Sequence, residues 1–264
     1  MIKKIAAISF SPTGSTRDLV DKAAETLAGR LKLPLSYDSF TLPKDQKKVR
    51  RFTEETLVVF GMPTYAGRVP NKALPFLKTL FVGGGAPAVA LVTFGNRSYD
   101  SSLTELNEEL TAAGFRVFAA GAFARPHAFA NIGHEHPTKE DNNYWNAPWR
   151  CGSQDRARRF WSITIKDGAP VGPYYIPLGE DGERQNSSRQ NRSPILKNAT
   201  TAANAPPYAP WEPSTRTIRT RYRTCIKCQA CIVYCHTHAK FFHDDRFLSH
   251  KAMLEKNYVR TAQS

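Results

Sequence analysis

A polar loop near the start of the chain has the residue types that bind a phosphate group. It reads Ser11-Pro12-Thr13-Gly14-Ser15-Thr16-Arg17 and leads directly into a helical pattern. Hydroxyl groups bond phosphate oxygens, Gly14 allows close backbone approach, and the N–H groups at a helix start favour an anion. The loop lacks the Gly-Lys-Ser/Thr ending of a triphosphate-binding loop, so a single terminal phosphate fits better. The alternative is a polar turn that only caps the helix.

Two more loops of unusual composition, 61–70 and 93–100, follow later apolar runs. They contain Tyr65, Asn96 and Tyr99 beside several glycines, and flat rings, an amide and close backbone approach suit a planar heterocycle. Loops that follow neighbouring parallel strands converge at the carboxyl edge of the sheet. A single aromatic residue is more often ordinary packing, but three such loops in succession indicate one ligand site.

The elements that position these loops alternate along residues 1–130. Apolar runs typical of buried strands cover 4–10, 55–61, 87–94 and 116–122. Helical spacing of apolar residues covers 16–31, 73–81 and 102–113. This alternation predicts an α/β fold, a doubly wound parallel sheet with helices on both faces.

The first loop and the element pattern together resemble the flavodoxin family, because residues 11–16 match that family's Thr/Ser-x-Thr-Gly-x-Thr phosphate loop in full. The resemblance implies a flavodoxin-like, FMN-binding domain over 1–130. It implies that the FMN phosphate is held by Ser11, Thr13, Gly14, Ser15 and Thr16. It implies that the isoalloxazine ring is flanked by Pro63, Thr64, Tyr65, Gly67, Arg68, Thr93, Gly95, Asn96, Arg97, Tyr99 and Asp100. Flavodoxins are usually acidic, whereas this segment is basic, which departs from their acidic docking face.

Four of the five cysteines are crowded near the end of the chain: Cys225, Cys228, Cys231 and Cys235. In a chain with no export signal, such crowding favours metal ligation over disulfides, which remain a minor alternative. The C-x₂-C-x₂-C-x₃-C spacing lets thiolates converge on an iron–sulfur cluster from one tight turn. Zinc is the competing metal, because three histidines lie close: His236, His238 and His243.

This spacing resembles that of bacterial 4Fe-4S ferredoxins, and the whole chain resembles a flavodoxin–ferredoxin fusion electron carrier of anaerobic bacteria. Besides the loops, the linker 172–178 and the tail 244–255 carry the likeness. It implies electron transfer between redox protein partners through FMN and a 4Fe-4S cluster on the four cysteines, with no catalytic acid, base or nucleophile. His127 is interpreted as an ordinary loop histidine. Two departures stand out: His236 replaces the family's proline, and no second four-cysteine motif supplies the usual remote fourth ligand.

Residues 131–224 lose hydrophobic periodicity and are predicted to form an irregular linker, apart from an extended stretch at 169–183, before a ferredoxin-like segment at 225–264. Four alanines in the linker repeat the ferredoxin cysteine spacing: Ala199, Ala202, Ala205 and Ala209. An Ala codon begins GC, so reading from the preceding base gives xGC, which encodes Cys when x is T. We therefore interpret about 186–224 as translated out of frame, and 130–146 as a less diagnostic second case. The alternative is a genuine low-complexity linker in which the spacing arises by chance.

Composition limits the class of protein. The 264 residues are 41% apolar and 23% charged, which favours a folded core. Apolar runs are shorter than the roughly 20 residues of a membrane span, and the N-terminal run lacks a cleavage site, so we expect a cytoplasmic protein. Half of the net charge of +14 lies in 150–224, so charge alone does not predict nucleic-acid binding. Two other functions stay open: an FMN-dependent reductase of a small acceptor such as a quinone, and a zinc-stabilised basic binding module.

Overall fold

The computed structural model describes residues 1–136, 170–185, 195–196, 226–234, 240–241 and 244–259. Its strands are β1 (Lys4–Ser9), β2 (Leu35–Ser39), β3 (Arg50–Arg51), β4 (Thr56–Pro63), β5 (Phe81–Val82), β6 (Pro87–Phe94), β7 (Arg116–Ala124), β8 (Ile195–Leu196) and β9 (Lys240–Phe241). Its α-helices are α1 (Ser15–Leu31), α2 (Leu74–Leu80), α3 (Ser102–Ala112), α4 (Ala230–Val233) and α5 (Asp245–Asn257). A short 3₁₀ helix covers Asp45–Lys47.

Five strands form a wholly parallel sheet in the order β2-β1-β4-β6-β7. If these five strands are renumbered 1 to 5 in chain order, the sheet has the flavodoxin-like order 2-1-3-4-5. The direction of winding reverses between β1 and β4. Ligands of such sheets bind beyond the carboxyl ends of the strands at that switch point. The predicted fold class, a doubly wound parallel α/β sheet, is confirmed for the described part of residues 1–130.

Helices cover both faces of the sheet, because the central strands are apolar on both sides. Every residue of β6 is buried, and in β4 only Pro63 is partly exposed. One face packs against Leu19, Val20 and Ala23 of α1. The other packs against α2 and α3, whose buried residues are Leu77, Leu80, Leu103, Leu106 and Leu110. These two clusters hold the strand ends, and hence their loops, in fixed positions.

Helix α1 lies unusually close to strand β4, which fixes the loop that precedes the helix. A Cβ atom at Gly61 would lie 2.2 Å from Cγ2 of Val20 and 3.1 Å from Cγ2 of Thr16. Glycine is therefore required at this point of contact between helix and sheet. The close approach holds the first turn of α1 directly against the carboxyl end of β4.

The predicted elements of residues 1–130 agree with the structure to within a few residues at their ends. Strand β2 was not predicted, because its residues are partly or fully exposed and carry little hydrophobic pattern. Apolar residues recur at helical spacing over 245–258, which predicts a helix there, and the structure has helix α5 at Asp245–Asn257. Among the described residues, no helix is long and apolar enough to cross a membrane.

Three later stretches, 170–185, 226–234 and 244–259, pack back against the first 136 residues; we call them the returning segments. Met253 and Leu254 of α5 form a small apolar cluster with Ala130 and Ile132. The Asp244 carboxylate caps α5 by accepting from the N–H of Phe247 at 3.0 Å. Of the proposed out-of-frame stretches, 186–224 lies outside the described residues except for 195–196, and 130–146 lies outside them beyond residue 136, so that interpretation and the domain boundaries remain predictions.

Candidate functional site

A cavity of about 290 Å³ opens at the carboxyl edge of the sheet. Its walls come from the loops that follow β1, β4, β6 and β7 and from all three returning segments. It therefore lies where the strand order reverses, which is the expected place for a ligand in this class of sheet.

Ten of the sixteen residues that sequence reasoning placed in the FMN site line this cavity: Thr13, Ser15, Thr16, Pro63, Thr64, Tyr65, Gly67, Thr93, Gly95 and Arg97. The other six lie next to it without lining it: Ser11, Gly14, Arg68, Asn96, Tyr99 and Asp100. All three predicted loops therefore meet at one place, although not every residue in them faces the cavity.

The first loop has the geometry of an anion-binding turn. Gly14 precedes α1 with φ +96°, a conformation that favours glycine. Gly14, the N-cap residue of α1, has no side chain, so among the described residues the amides of Ser15 and Thr16 have no side-chain acceptor and keep their hydrogen-bonding capacity. The Ser11 hydroxyl accepts from the N–H of Arg17 at 3.0 Å, and those of Thr16 and Thr93 bond each other at 2.7 Å. Thr13 and Ser15 are thus the hydroxyl residues of the loop best placed to reach a ligand.

Arg68 holds the second loop to helix α3 and to a returning segment. Its guanidinium makes two hydrogen bonds to Glu105, at 2.8 and 2.5 Å, and a third to the carbonyl of Gly172 at 2.7 Å. Glu105 also accepts from the N–H of Val69 at 2.9 Å. The hydrogen bond with buried Glu105 raises the pKa of Arg68. Arg68 therefore positions the loop.

Three predicted residues of the third loop contact other groups of the protein: Asn96, Tyr99 and Asp100. The Asn96 amide donates to the carbonyl of Tyr258 at 2.8 Å, and its oxygen lies 3.2 Å from Nε2 of His136. Tyr99 packs on Phe94, with ring centroids 5.5 Å apart. Asp100 accepts a hydrogen bond from Arg97 and so orients that cavity-lining guanidinium.

The returning segment 170–185 lies across the second and third loops. The N–H of Tyr175 donates to the carbonyl of Ala66 at 2.7 Å, and the Tyr174 hydroxyl donates to that of Val69 at 2.9 Å. The Arg97 guanidinium lies over the Tyr175 ring, 4.1 Å from its centroid. Burial raises the pKa of both tyrosines. The ring of Tyr175 thus forms part of the cavity wall.

The far wall is built by aromatic residues from the loop after β7 and from α5. Phe129 packs on Phe247 at 4.8 Å and edge-on to His127 at 4.3 Å. Burial, together with the charge of His250 when it is protonated and that of Arg97, lowers the pKa of His127 to about 4. Burial also lowers the pKa of His250, against the raising effect of its hydrogen bond to the Leu178 carbonyl. Both histidines are therefore neutral near pH 7 and line the cavity.

The charge of the cavity wall favours an anionic ligand. Its ionised side chains are all basic among the described residues that line it: Arg97, Arg125, Lys227 and Arg246. Cations around a cleft with low-dielectric walls raise the local concentration of negative ligands. A phosphorylated ligand therefore fits better than a neutral one.

Sequence reasoning missed the wall that lies beyond the third loop. The loop 125–129 was open to prediction, because it follows the last parallel strand just as the other three loops follow theirs. Nothing comparable marks Tyr175, Ile226, Lys227 or His250, since their approach depends on long-range packing of the returning segments.

The cysteine cluster lies only partly within the described residues, which include Cys228 and Cys231 but not Cys225 or Cys235. Cys228 is buried and Cys231 is half-buried. Within the described ranges, no group of three or more His, Cys, Asp or Glu residues is placed to hold a metal ion. The prediction of a metal centre therefore remains a prediction.

No family model matches the sequence, and no curated protein matches it either. Among solved structures, the chain is similar to a short-chain flavodoxin associated with a bacterial microcompartment, at 14% identity over 55% of this chain and 93% of that one, with a TM-score of 0.38. It is similar to rubredoxin:oxygen oxidoreductase of Desulfovibrio gigas, at 17% identity over 54% and 33% of the chains, with a TM-score of 0.35. It is also similar to a flavodoxin of Streptococcus pneumoniae, at 18% identity over 48% and 85%, with a TM-score of 0.33. The assignment of a flavodoxin-like fold rests on the strand order described above.

Proposed function

We propose that this chain binds FMN in the cavity at the carboxyl edge of the sheet and transfers electrons through it. The observation that carries the proposal is one continuous cavity, at the switch point, that joins the hydroxyl-rich first loop to the loops after β4 and β6. This is the arrangement that the resemblance to flavodoxins implies.

The first loop fits the phosphate end of FMN. The first turn of α1 offers the backbone amides of Ser15 and Thr16, since that of Arg17 is bonded to Ser11, and Thr13 and Ser15 offer hydroxyls at the cavity wall. At Gly14 a Cβ atom would lie 3.4 Å from the Tyr234 hydroxyl, so the hydroxyl of a returning segment also reaches this loop. Amides and hydroxyls around a helix start are a sufficient donor set for one phosphate dianion.

The other end of the cavity fits a flat ring system. Tyr65, Phe129, Tyr175 and Phe247 supply aromatic surface, and Gly67 and Gly95 allow backbone to approach closely. Bound FMN supplies the exchange of one or two electrons. The chain's own residues orient the ring, exclude water from it and place positive charge beside it, which favours the electron-rich form of any flavin held there.

The finer proposal is that the chain is a flavodoxin–ferredoxin type carrier, in which a 4Fe-4S cluster passes electrons to or from FMN. It is supported by the cysteine spacing and by the position of Ile226 and Lys227, which line the cavity immediately before Cys228. The two thiols within the described residues cannot by themselves hold a cubane cluster, which needs four ligands.

The second candidate is an FMN-dependent reductase of a small acceptor such as a quinone. The observation that favours it is the aromatic far wall, since the cavity continues beyond the three flavin loops to Phe129, Phe247 and His250. Steady turnover of a quinone with a nicotinamide donor distinguishes this activity from that of a carrier, which exchanges electrons only with protein partners.

Binding of FMN and riboflavin by the full chain tests the proposal. Hydrogen bonds to charged groups contribute about 1.5–3 kcal/mol each, so Thr13→Ala or Ser15→Ala is expected to weaken FMN binding about tenfold or more. Riboflavin, which lacks the phosphate, should bind the variants and the parent chain equally. Thr26→Ala is the matched control, because it removes a hydroxyl whose hydrogen bond, within the described residues, goes to the Lys22 carbonyl of α1 itself. Failure of the parent chain to bind FMN contradicts the proposal.

Metal analysis tests the cluster separately. Cys151, the fifth cysteine, lies outside the motif and serves as the control. Iron and sulfide that are lost in Cys228→Ser and Cys231→Ser but retained in Cys151→Ser would support a 4Fe-4S cluster. Stoichiometric zinc without iron would instead support a zinc-binding segment, and would leave the FMN proposal standing.

A further inference from the structure

The His127 ring is held in one tautomer by its own loop. The backbone N–H groups of Phe129 and Ala130 point at Nδ1, at 3.4 and 3.2 Å. A nitrogen that accepts hydrogen bonds carries no proton, so the neutral ring has its proton on Nε2. The N–H of His127 itself donates to the carbonyl of Ile132 at 3.0 Å, which fixes the start of the loop.

The Cδ2 side of the His127 ring lies against the third flavin loop, at Gly95. A Cβ atom at Gly95 would be only 2.3 Å from Cδ2, so glycine at position 95 lets the ring approach. The ring is half-buried and lines the cavity, and none of the described residues makes a hydrogen bond to Nε2. The N–H donor at Nε2 is thus available to a ligand beside Gly95.

His250 on the same wall has the opposite arrangement. Its Nδ1 lies 2.8 Å from the carbonyl of Leu178, which can only accept, so Nδ1 carries the proton and Nε2 bears a lone pair. Of the two neutral histidines that line the cavity, His127 is therefore the one that offers a donor.

We infer that His127 donates a hydrogen bond from Nε2 to a carbonyl oxygen on the pyrimidine edge of the bound flavin. The inference rests on the proposed binding of FMN and assigns a role to a residue that the sequence motifs leave out. Reduction increases negative charge on the N1 and O2 edge of a flavin, so a fixed donor there stabilises the reduced form more than the oxidised form. His127 would then make the midpoint potential of the bound flavin less negative.

A spectroscopic measurement tests the tautomer without any change of sequence. In a two-bond ¹H–¹⁵N spectrum of the full chain at pH 7, His127 should show the pattern of the Nε2–H tautomer, and His250 that of the Nδ1–H tautomer. Addition of FMN should shift the Nε2 resonance of His127. A proton on Nδ1 of His127, or a resonance that FMN leaves unchanged, would overturn the inference.

Substitutions test the effect on the flavin. In His127→Asn the side-chain oxygen can still accept from the loop amides, but the donor at the Nε2 position is lost. In His127→Gln the amide nitrogen reaches that position. We expect His127→Asn to weaken FMN binding about three- to tenfold, the effect of one neutral hydrogen bond, and to make the midpoint potential more negative, while His127→Gln restores much of both.

His134→Asn is the matched control, because His134 is exposed and lies outside the cavity wall. If the parent chain binds FMN and His127→Asn matches the control in both affinity and potential, the inference fails while the proposed function stands. If the parent chain does not bind FMN, both fail.

Discussion

The first 136 residues and the returning segments meet at one cavity but are held by different kinds of contact. The first region is built on a parallel ladder of buried strands between two apolar clusters. The returning segments are attached largely through main-chain atoms, such as the Gly172 carbonyl, the Tyr175 N–H and the Tyr258 carbonyl, and through one small apolar cluster. We call the first 136 residues the floor of the site and the returning segments its walls. The walls have few buried apolar contacts, so their local unfolding is expected to need less free energy than that of the floor.

The largest loss of stability is expected from a substitution where the first 136 residues meet the returning segments. Arg68→Ala leaves the Glu105 carboxylate, whose side chain is 3% exposed, without its cation and also removes the bond to Gly172. Loss of one partner of a buried ion pair costs about 3–5 kcal/mol, which urea unfolding will measure. Lys78→Ala, which breaks the more exposed pair with Glu109, should cost less than about 1 kcal/mol. Equal costs would show that the junction is no stronger than a surface ion pair.

The independence of the walls from the floor is tested by Leu254→Ala. Leu254 is 2% exposed within the small apolar cluster, so the substitution should lower the free energy of local unfolding of α5 by about 2–4 kcal/mol. Amide exchange should accelerate at Tyr258, which donates to the Leu254 carbonyl, and stay unchanged at Thr64, which donates to the Thr93 carbonyl of β6. Leu248→Ala, at an exposed position of the same helix, is the control. Equal acceleration at Thr64 would show that floor and walls unfold together.

Two Gly→Ala substitutions within the floor distinguish the effect of a close contact on stability from the effect of helix propensity. Gly61→Ala places a methyl group against Val20 and should destabilise the chain by about 1–3 kcal/mol. Gly29→Ala, in α1 with no atom within 4 Å of the added carbon, should stabilise it by about 0.5–1 kcal/mol. The free energies of unfolding in urea check both signs. A neutral Gly61→Ala would contradict the close packing of α1 on β4.

The last effect concerns the pH dependence of stability at His127, in the loop after β7. Since the pKa of His127 is lowered to about 4 from 6.5, the unfolded chain binds more protons at this residue than the folded chain between these values. The stabilisation is therefore complete above about pH 6.5 and is lost as the pH falls towards 4. In His127→Gln this slope should be reduced, as unfolding at pH 4.5 and 7 will measure. An unchanged slope would show that His127 titrates alike in both states.

The structure of the floor could be predicted because it depends on patterns between residues that are close in sequence. A buried parallel strand such as Pro87–Phe94 is a continuous apolar run, and a loop such as 11–16 follows its strand directly. Together these features gave the fold class and most of the first three loops. Strand β2 was missed because an exposed edge strand has little pattern to detect.

The walls could not be predicted in the same way. Tyr175 reaches the cavity through a main-chain bond to Ala66, more than a hundred residues away, and such a bond depends on no particular side chain. Asn96 is predicted to bond the ligand because of its side chain, and in the structure its amide donates to the Tyr258 carbonyl, a contact that the motif does not indicate. A motif therefore predicts which residues lie near a site. The direction in which each side chain points depends on packing against distant parts of the chain.

The central claim is that floor and walls close on one FMN molecule, and amide hydrogen exchange of the full chain with and without FMN tests it most directly. The account predicts slower exchange on addition of FMN in the loops 11–16, 64–68 and 95–99, together with the returning stretches 174–177, 226–227 and 246–254. Protection that is absent, or confined to residues away from the carboxyl edge of the sheet, would contradict it.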